Sequence, residues 1–366
     1  MADRVYWVWL ALKDEIALYD RVGLVNYLGG AEAVYDLEDY TGVINVSPEL
    51  EKLLSDKSLE KAEEVCRTID EIGGYIITPD DEEYPRNLKN IAVAPLALYC
   101  KGQHINWNES FALTVVGTRY CSDYGRKATD DIVASLAQYG IIIVSGMARG
   151  IDSVAARAAL RVGGITAAVL GSGLDVIYPP EHSLLYEEIS ESGVVITEFP
   201  PGTPPLKQNF PQRNRIMAGL SLGLVVGQAP QKGGSLITAN HAIEENRNVY
   251  VIPSDIYDEG FTGSNRLIKQ GAKLITCAED IIDDFPYLDL KKKEEDKIPV
   301  NLEGLNETEI EIVKALAERN AHIDELSRIV GISSGDLVSI LLMLEISGVV
   351  KKQGDNVYGI NFSERI

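Results

Sequence analysis

The sequence predicts an α/β protein built on a parallel sheet, with a small helical module before the sheet and a winged helix after it. Between residues 113 and 254, short apolar runs alternate with helical patterns, and a Gly-rich or polar loop ends most of these runs. Apolar runs of this kind are typical of parallel strands that helices cover on both faces. Near the C-terminus, three helical patterns are followed by two short strands, which is the order of a winged helix.

Changes in pattern and charge divide the chain into four parts. Residues 1–75 are predicted to form a small helical, SAM-like module, and residues 76–285 are predicted to form the sheet domain. The charged run from Lys291 to Lys297 predicts a solvated linker over residues 286–300. Residues 301–366 then form the predicted winged-helix domain.

Spacing and capping signals place the helices of the first part. Gly29 and Gly30 precede a helix from Ala31 to Leu37, Ser47 and Pro48 open another, and apolar positions recur at helical spacing from Ser58 to Ile72. In the sheet domain we expect helices from Tyr124 to Tyr139 and from Leu236 to Glu245. The expected strands are Tyr75–Thr78, Leu96–Tyr99, Leu113–Val116, Ile141–Val144, Ile165–Leu170, Val194–Ile196, Leu222–Val226 and Asn248–Ile252.

The winged helix is predicted from its caps and its hairpin. Asn306 or Thr308 caps a first helix, Ile323 to Val330 forms a second, and a capping box at Ser333 opens a third from Leu337 to Ser347. Because this third helix has no Lys or Arg, we do not expect it to read a major groove. We expect a protein-contact or regulatory role for the domain instead.

Composition limits the possible partners and compartments. The net charge of −21 argues against general affinity for nucleic acids, but residues 111–285 carry 14 bases against 19 acids and leave room for a local basic groove. The four cysteines are scattered, with no CxxC pair and no clustered histidines, which predicts a reducing cytoplasm and no structural zinc. The apolar run from Val5 to Leu12 is too short to span a bilayer, so no membrane association is expected.

Gly-rich loops and cations follow the predicted strands. Because ligands of parallel sheets bind beyond the carboxyl ends of the strands, we expect these residues to converge on one edge of the sheet. Glycines with hydroxyls or cations beside them favour a phosphate cradle, although glycines also make simple tight turns. The candidate residues in these loops are Gly117, Thr118, Arg119, Ser145, Gly146, Arg149, Gly171, Ser172, Gly173, Lys232, Gly234 and Ser235.

The stretch from Lys207 to Ser221 carries the densest chemistry of the chain. Arg supplies a planar fork for phosphate, and a ring beside it offers a face on which a base can stack. We expect Pro211 to end the loop and the residues after it to open a helix. The candidate residues here are Lys207, Phe210, Arg213, Asn214 and Arg215.

The patterns of common enzymes are missing from the sequence. The run from Gly171 to Val176 has Val where a dinucleotide fingerprint needs its third glycine, and no GxxxxGK[ST] occurs. The four histidines stand alone. Asp152, Asp175 and Glu198 could serve acid–base chemistry, but Asp152 and Asp175 could equally cap local backbone.

Taken together, these loops resemble the DNA-processing protein A (Smf) family. The resemblance covers roughly residues 75–285, in spacing as well as identity. It rests on VGTR at 116–119, SGMARGID at 145–152, GSGLDVIYP at 171–179, FPQRNRIMAGLS at 210–221, GGSLITA at 233–239 and GSNRLI at 263–268.

This resemblance implies an extended Rossmann-like core that dimerises, binds single-stranded DNA and loads the RecA recombinase on it, without a cofactor and without catalysis. Phosphates would contact Arg119, Arg149, Lys207, Arg213 and Lys232, and a base would stack on Phe210. Asn214 and Arg215 would either join these contacts or brace the loop. Ala156, Gln228 and Ser254 depart from residues that the family often has there, which leaves any cleft chemistry open.

Two other functions remain open at this point. A nucleotide-processing enzyme of related fold, such as a nucleoside-monophosphate glycosyl hydrolase, would use Glu198 or Asp152 as acid or base. Its PGGxGT-type loop is only partly imitated by the residues 232–236. A nucleotide-sensing adaptor would use the same cleft for binding alone.

Overall fold

The computed structural model describes residues 2–40, 43, 46–288, 290, 305–318, 321–354 and 356–360. The chain forms two compact units, Met1–Lys292 and Lys293–Ile366. Most of the predicted charged linker, residues 291–300, lies outside the described residues. The remaining domain boundaries stay predictions.

Five helices open the first unit and pack on the sheet. Ser47 accepts a hydrogen bond from the N–H of Leu50 and caps the fourth helix, in which Pro48 takes the first position. Apolar side chains of these helices share one hydrophobic cluster with Tyr99, Ala168 and Val195 of the sheet. The helices are α1 Ala2–Ala11, α2 Leu18–Leu28, α3 Ala31–Asp36, α4 Pro48–Ser55 and α5 Glu60–Glu71.

A nine-stranded sheet forms the centre of the first unit. Its strands are β1 Gly74–Ile77, β2 Leu98–Gly102, β3 Ala112–Val116, β4 Ile142–Ser145, β5 Thr166–Val169, β6 Val194–Thr197, β7 Gly223–Val226, β8 Asn248–Val251 and β9 Lys273–Leu274. Their spatial order is β1-β2-β6-β5-β4-β3-β7-β8-β9. The strands from β3 to β9 are parallel, whereas β1 and β2 add an antiparallel edge. Each of the eight predicted strands begins within two residues of its expected start.

Helices cover both faces of this sheet, which confirms the predicted Rossmann-like α/β core. Ile216 and Met217 pack on one face, and Ile132 and Ile151 on the other. The chain leaves β3 toward β4 on one side and returns to β7 on the other, so the strand order reverses between β3 and β7. The helices are α6 Arg86–Lys89, α7 Asp123–Gln138, α8 Ile151–Arg161, α9 Ser183–Ser192, α10 Asn209–Leu220, α11 Gly234–Glu244, α12 Thr262–Lys269 and α13 Glu279–Ile282.

One helix begins earlier than the sequence predicts. We expected Pro211 to end the loop, but α10 already starts at Asn209, so Phe210 and Pro211 both lie in its first turn. Proline is tolerated there because the first N–H groups of a helix have no acceptor within the helix. The correction matters because a helix holds the Phe210 ring more rigidly than a loop would.

The second unit has the predicted order of a winged helix. The Asn306 side chain accepts from the N–H of Glu309 at 3.0 Å, and the Glu309 carboxylate accepts from the N–H of Asn306 at 2.9 Å, so Asn306 is the cap. Leu326, Leu337 and Leu341 are buried in its core. The elements are α14 Glu307–Glu318, β10 Ala321–His322, α15 Ile323–Val330, α16 Ser334–Ile346, β11 Val350–Gly354 and β12 Val357–Ile360.

The helices are too short or too polar to cross a membrane singly, as far as the structure describes them. Helices α15 and α16 reach the necessary length and composition as a pair, but the chain bends by 103° between them. Their apolar residues include the buried core of the winged helix, with Leu326, Leu337 and Leu344 fully enclosed.

Candidate nucleic-acid interface

The loops after β3, β4 and β5 meet at the carboxyl edge of the sheet. The N–H of Ile151 donates to the carbonyl of Thr118 at 3.1 Å, which joins the first two loops. The Asn209 amide donates to the carbonyl of Gly171 at 3.1 Å and ties the third loop to the start of α10. The structure therefore brings these three loops and the stretch from residue 207 to residue 221 together.

Phe210 contacts residues of two of these loops. Its ring is half-buried, the Arg119 carbon Cζ is 5.8 Å from the ring centroid and that of Arg213 is 6.0 Å. The ring of Tyr178 is a third neighbour, with centroids 5.7 Å apart and planes inclined by 50°. A ring held among cations is suited to stack on a base while a phosphate lies beside it.

Arg213 forms the floor beneath this ring. Its side chain is 4% exposed, and it donates a hydrogen bond to the carbonyl of Val169. Gly146 is required beside it, since a Cβ at that position would lie 2.1 Å from Nη1 of Arg213. The expected phosphate contact of Arg213 therefore does not match its position, because the guanidinium is enclosed by protein.

Asp152 is buried in the same floor, and its negative charge attracts that of Arg213. Its carboxylate is buried and accepts hydrogen bonds from the backbone N–H groups of Ala148, Gly146 and Gly117. Burial raises the pKa of Asp152 despite the guanidinium and these three donors. Burial likewise lowers the pKa of Arg213 to about 10, although Asp152 opposes the shift. The loops that would cradle a phosphate thus enclose a carboxylate of the chain itself.

Arg215 braces the start of α10. It donates to the carbonyl of Val93 at 2.7 Å and forms an ion pair with Glu198, and both charged side chains are only 13% and 12% exposed. Asn214 is buried as well. Of the two roles that the sequence left open for Arg215, the structure favours the brace.

Four predicted cations are exposed, and three of them have no ion-pair partner within the described part of the chain. These three are Arg119, Lys207 and Lys232, whereas Arg149 forms an ion pair with Glu181, which raises the pKa of Arg149. Lys232 and Gly233 precede α11, which begins at Gly234, and no described contact joins Lys232 to the Phe210 ring. The loops that follow the strands therefore offer three exposed cations without an ion-pair partner among the described residues.

The predicted hydroxyls hold the loops rather than face solvent. Ser145 donates to the carbonyl of Val115 and Ser172 to that of Val176, both at 2.7 Å and both buried. Thr118 accepts from the N–H of Tyr120 at 3.2 Å. Ser235 is buried, and its Oγ has no hydrogen-bond partner among the described residues. Gly171 and Gly173 are buried too. Direct contact of these residues with a ligand stays a prediction.

The carboxylates considered for catalysis have structural partners. Asp152 is enclosed with Arg213, Glu198 is paired with Arg215, and Asp175 accepts from the N–H of Gly202 at 2.8 and 2.9 Å. No group of three or more metal-ligating side chains occurs among the residues that the structure describes. The arrangement is that of a binding surface with a braced floor.

Two rings at this edge were missed by the sequence analysis. Tyr178 lies against Phe210, and Tyr120 follows Arg119 with 86% of its surface exposed. Both stand in loops that follow strands, so a search of these loops for aromatic rings would have found them. Sequence alone could not show that the ring of Tyr178 packs against that of Phe210, 32 positions later in the chain.

Comparison with known proteins relates both units to one family. Residues 75–286 match the family model described as DNA recombination-mediator protein A, and residues 298–356 match that of the DprA winged helix domain. A protein Smf of Synechocystis sp. is 36% identical over 310 residues, which cover 76% of this chain and 78% of that protein.

Two solved structures resemble the chain. DNA processing protein A of Streptococcus pneumoniae matches with a TM-score of 0.68 and 33% identity, over 76% of this chain and 97% of the other. DNA processing protein A of Helicobacter pylori, described in terms of its single-stranded DNA binding mode, matches with a TM-score of 0.52 and 28% identity. That match covers 58% of this chain and 96% of the other.

Proposed function

Because the chain belongs to the DNA recombination-mediator protein A family, we propose that it binds single-stranded DNA across the carboxyl edge of its central sheet. The observation that carries the proposal is the half-buried Phe210 ring, whose centroid lies 5.8 Å from the guanidinium carbon of Arg119 and 6.0 Å from that of Arg213. A base can stack on such a ring whatever its identity, since every base has a π-face. The relative from Helicobacter pylori, whose description names single-stranded DNA binding, supports this choice of ligand.

Phosphates would contact the four exposed cations, which we call the rim, rather than the buried floor of Arg213 and Asp152. Arg119 and Lys207 are exposed, and Arg149 and Lys232 are two further exposed cations of this rim. The floor already contains the carboxylate of Asp152, so a phosphate entering it would meet a like charge in a poorly solvated place. We therefore assign binding to side chains of the rim, with the glycine loops as their support.

The winged helix is not needed for this contact. Helix α16 has no Lys or Arg and exposes Val338, Leu342, Met343 and Ile346. A duplex-reading helix needs cations and hydrogen-bond donors on its exposed face. We propose that single strands bind much better than duplex and that base sequence matters little.

The family membership extends the proposal to partners. We infer that the protein forms a homodimer through its central domain, protects a strand and loads the RecA recombinase on it as a non-catalytic factor. A protein that acts on DNA together with a recombinase works in the cytoplasm of a bacterium. None of the contacts described above identifies the dimer surface or the recombinase surface.

A competition assay tests the binding function. A labelled oligo-dT is bound to the protein, and fluorescence anisotropy follows its release by unlabelled single strand or by blunt duplex. We expect single strand to compete far better, and we expect Phe210→Ala to cost about 1–3 kcal/mol of stacking. Phe210→Tyr, which keeps a stacking ring, is the matched control and should bind almost like the wild type.

Two outcomes would contradict the proposal. Equal competition by duplex would show that the edge does not select single strands. Release of free base from added nucleoside monophosphates would favour the nucleotide-processing enzyme, which needs an accessible acid or base. Glu198 is held in an ion pair with Arg215, and Asp152 is buried, so neither carboxylate is accessible to a substrate; this supports the binding protein over that enzyme.

A further inference from the structure

We propose a second phosphate subsite in a groove of about 500 Å³ that shares Arg119 with the Phe210 region and receives the continuing strand. The inference rests on the proposed function and names a part of the DNA path that the strand-end motifs do not include. Arg126, which the sequence analysis passed over, is its principal cation. The groove accepts phosphodiester groups rather than a particular base.

The charge of the groove is the first reason. Arg119 and Arg126 both line it, together with the hydroxyls of Ser122 and Ser153, and no carboxylate lines it. The chain has a net charge of −21, yet two arginines and no acid line this groove, so the groove is locally positive. Arg126 is exposed and has no ion-pair partner among the described residues, so its charge is available to a ligand.

The groove has a rigid wall. Gln228 is 2% exposed, its side-chain oxygen accepts from the N–H of Ser122 at 2.8 Å, and its carbonyl accepts from the N–H of Thr118 at 2.8 Å. One buried residue therefore fixes both ends of the loop that carries Arg119. Gly150 closes the other side with a φ of +74°, and a Cβ there would lie 2.2 Å from the carbonyl oxygen of Thr118.

The place of the groove in the sheet is the second reason. It lies between the loops that follow β3 and β7, where the strand order reverses. In open parallel sheets this switch point is where ligands bind, because the chain leaves in opposite directions and opens a crevice. Arg119 lines the groove, and its carbon Cζ also lies 5.8 Å from the Phe210 ring centroid, so a strand bound at Phe210 can continue into the groove past this residue.

Tyr120 adds a stacking surface at this end of the path. Its ring is 86% exposed and lines the groove beside the two arginines. An exposed ring beside cations repeats the combination found at Phe210. We therefore expect the second subsite to hold a phosphate and to support one further base.

Oligonucleotide length separates the second subsite from the first. Wild type, Arg126→Ala and Lys127→Ala are titrated by anisotropy with oligo-dT of increasing length, beginning with a trinucleotide, each at several salt concentrations. Arg126→Ala should bind the shortest strand like the wild type and lose affinity for longer ones. For these, the slope of log affinity against log salt should flatten by about 0.7, the value for one phosphate contact on a single strand.

Lys127 supplies the matched control because it is exposed on the same helix and does not line the groove. Lys127→Ala should leave the salt slope unchanged at every length. Tyr120→Ala should weaken the binding of long strands without changing the salt slope.

If Arg126→Ala resembles Lys127→Ala at every length, or weakens the trinucleotide as much as the long strands, the second subsite is refuted. Loss of binding in Phe210→Ala together with normal binding in Arg126→Ala would refute this inference alone. Normal binding in Phe210→Ala would refute the proposed function instead.

Discussion

Arg213 and Asp152 are two buried groups of opposite charge whose attraction acts among the loops that carry the exposed cations. Burial moves both pKa values toward the neutral forms, upward for Asp152 and downward to about 10 for Arg213. The shifts indicate that the two charges lose more from leaving water than they regain from each other and from the backbone N–H groups. Two such buried charges are weak evidence for a gain in stability, and their role here is better explained as holding the loops in position. Here it holds Gly117, Gly146 and Ala148 around one carboxylate.

We expect Arg213→Met to make stability depend on the protonation of Asp152. At neutral pH the variant should lose about 3–5 kcal/mol, because a buried carboxylate remains without its counter-ion. The folded pKa of Asp152 is already raised, and the loss of Arg213 should raise it further. The folded state then holds the proton more tightly than the unfolded state, so the free energy of unfolding should fall as pH rises from about 3.9, the unfolded value, through the folded pKa.

Urea denaturation at several pH values measures this dependence. The control is the double variant Asp152→Asn with Arg213→Met, which has no charge at either position and includes the background titration of all other groups. Relative to this control, Arg213→Met should be less stable at neutral pH and should recover on acidification. A constant difference between the two variants across the pH series would show that the pair is not coupled through charge.

A second prediction distinguishes Arg215, the brace, from the exposed cations of the rim by its effects on stability and on DNA binding. Arg215→Ala should destabilise the protein strongly, because it leaves Glu198 buried without its partner and releases the carbonyl of Val93. The salt slope of DNA binding should stay at the wild-type value, because the Arg215 side chain faces protein. Denaturation and an anisotropy salt series measure the two effects. A flattened slope in a stable Arg215→Ala variant would move this residue to the DNA contact.

The sequence predicts the architecture better than the roles of single residues. The alternation of apolar runs and helices was sufficient to predict the parallel sheet, because a strand that is buried on both faces needs apolar side chains along its whole length. Burial of individual cations could not be predicted in the same way. Arg213 and Arg215 belong to the same basic stretch as Lys207, and only the burial of Arg213 and the ion pair of Arg215 with Glu198 distinguish floor and brace from rim.

The roles of the loop hydroxyls, and of an arginine that lies outside the motifs, could not be predicted from the sequence either. Ser145 and Ser172 follow strands as a ligand-binding serine would, yet both donate to backbone carbonyls. Arg126 lies inside a helix and belongs to no motif, so its relation to the groove depends on how α7 packs beside Gln228. A pattern gives the neighbours of a residue along the chain, whereas the site is formed by neighbours across it.

A third prediction concerns the second unit. A protein that ends at residue 290 should keep its affinity for single strands, because every assigned contact precedes that residue and α16 carries no cation. Anisotropy with oligo-dT compares this truncated protein with the full chain, and a melting curve confirms that it folds. A folded truncated protein without single-strand affinity would place the interface in the winged helix.

A fourth prediction concerns assembly. We expect the central domain to dimerise, which would let two DNA-binding edges act on one strand. Sedimentation of the full chain and of the truncated protein should show a dimer at roughly tens of micromolar, a range that weak association reaches. A dimer of the full chain that becomes a monomer after truncation would assign the interface to the second unit. A monomer in both cases would contradict the expectation altogether.

The last prediction ranks the cations of the rim by whether each already has an ion-pair partner. Arg119 and Lys207 have no ion-pair partner within the described residues, so replacing either by Ala should flatten the salt slope by about 0.7. Arg149 is already paired with Glu181, and a phosphate would have to compete with that carboxylate. Arg149→Ala should therefore flatten the slope less than Arg119→Ala does, although both side chains are exposed.

Glu181→Gln provides the decisive comparison, because it removes the competing carboxylate and keeps the size of the side chain. In this variant Arg149 becomes free, so single strands should bind more tightly and the salt slope should steepen toward one additional contact. Combining Glu181→Gln with Arg149→Ala should abolish that gain, which shows that the effect passes through the guanidinium. If Glu181→Gln binds like the wild type at every salt concentration, Arg149 does not contact the strand, and the positive rim is limited to Arg119, Lys207 and Lys232.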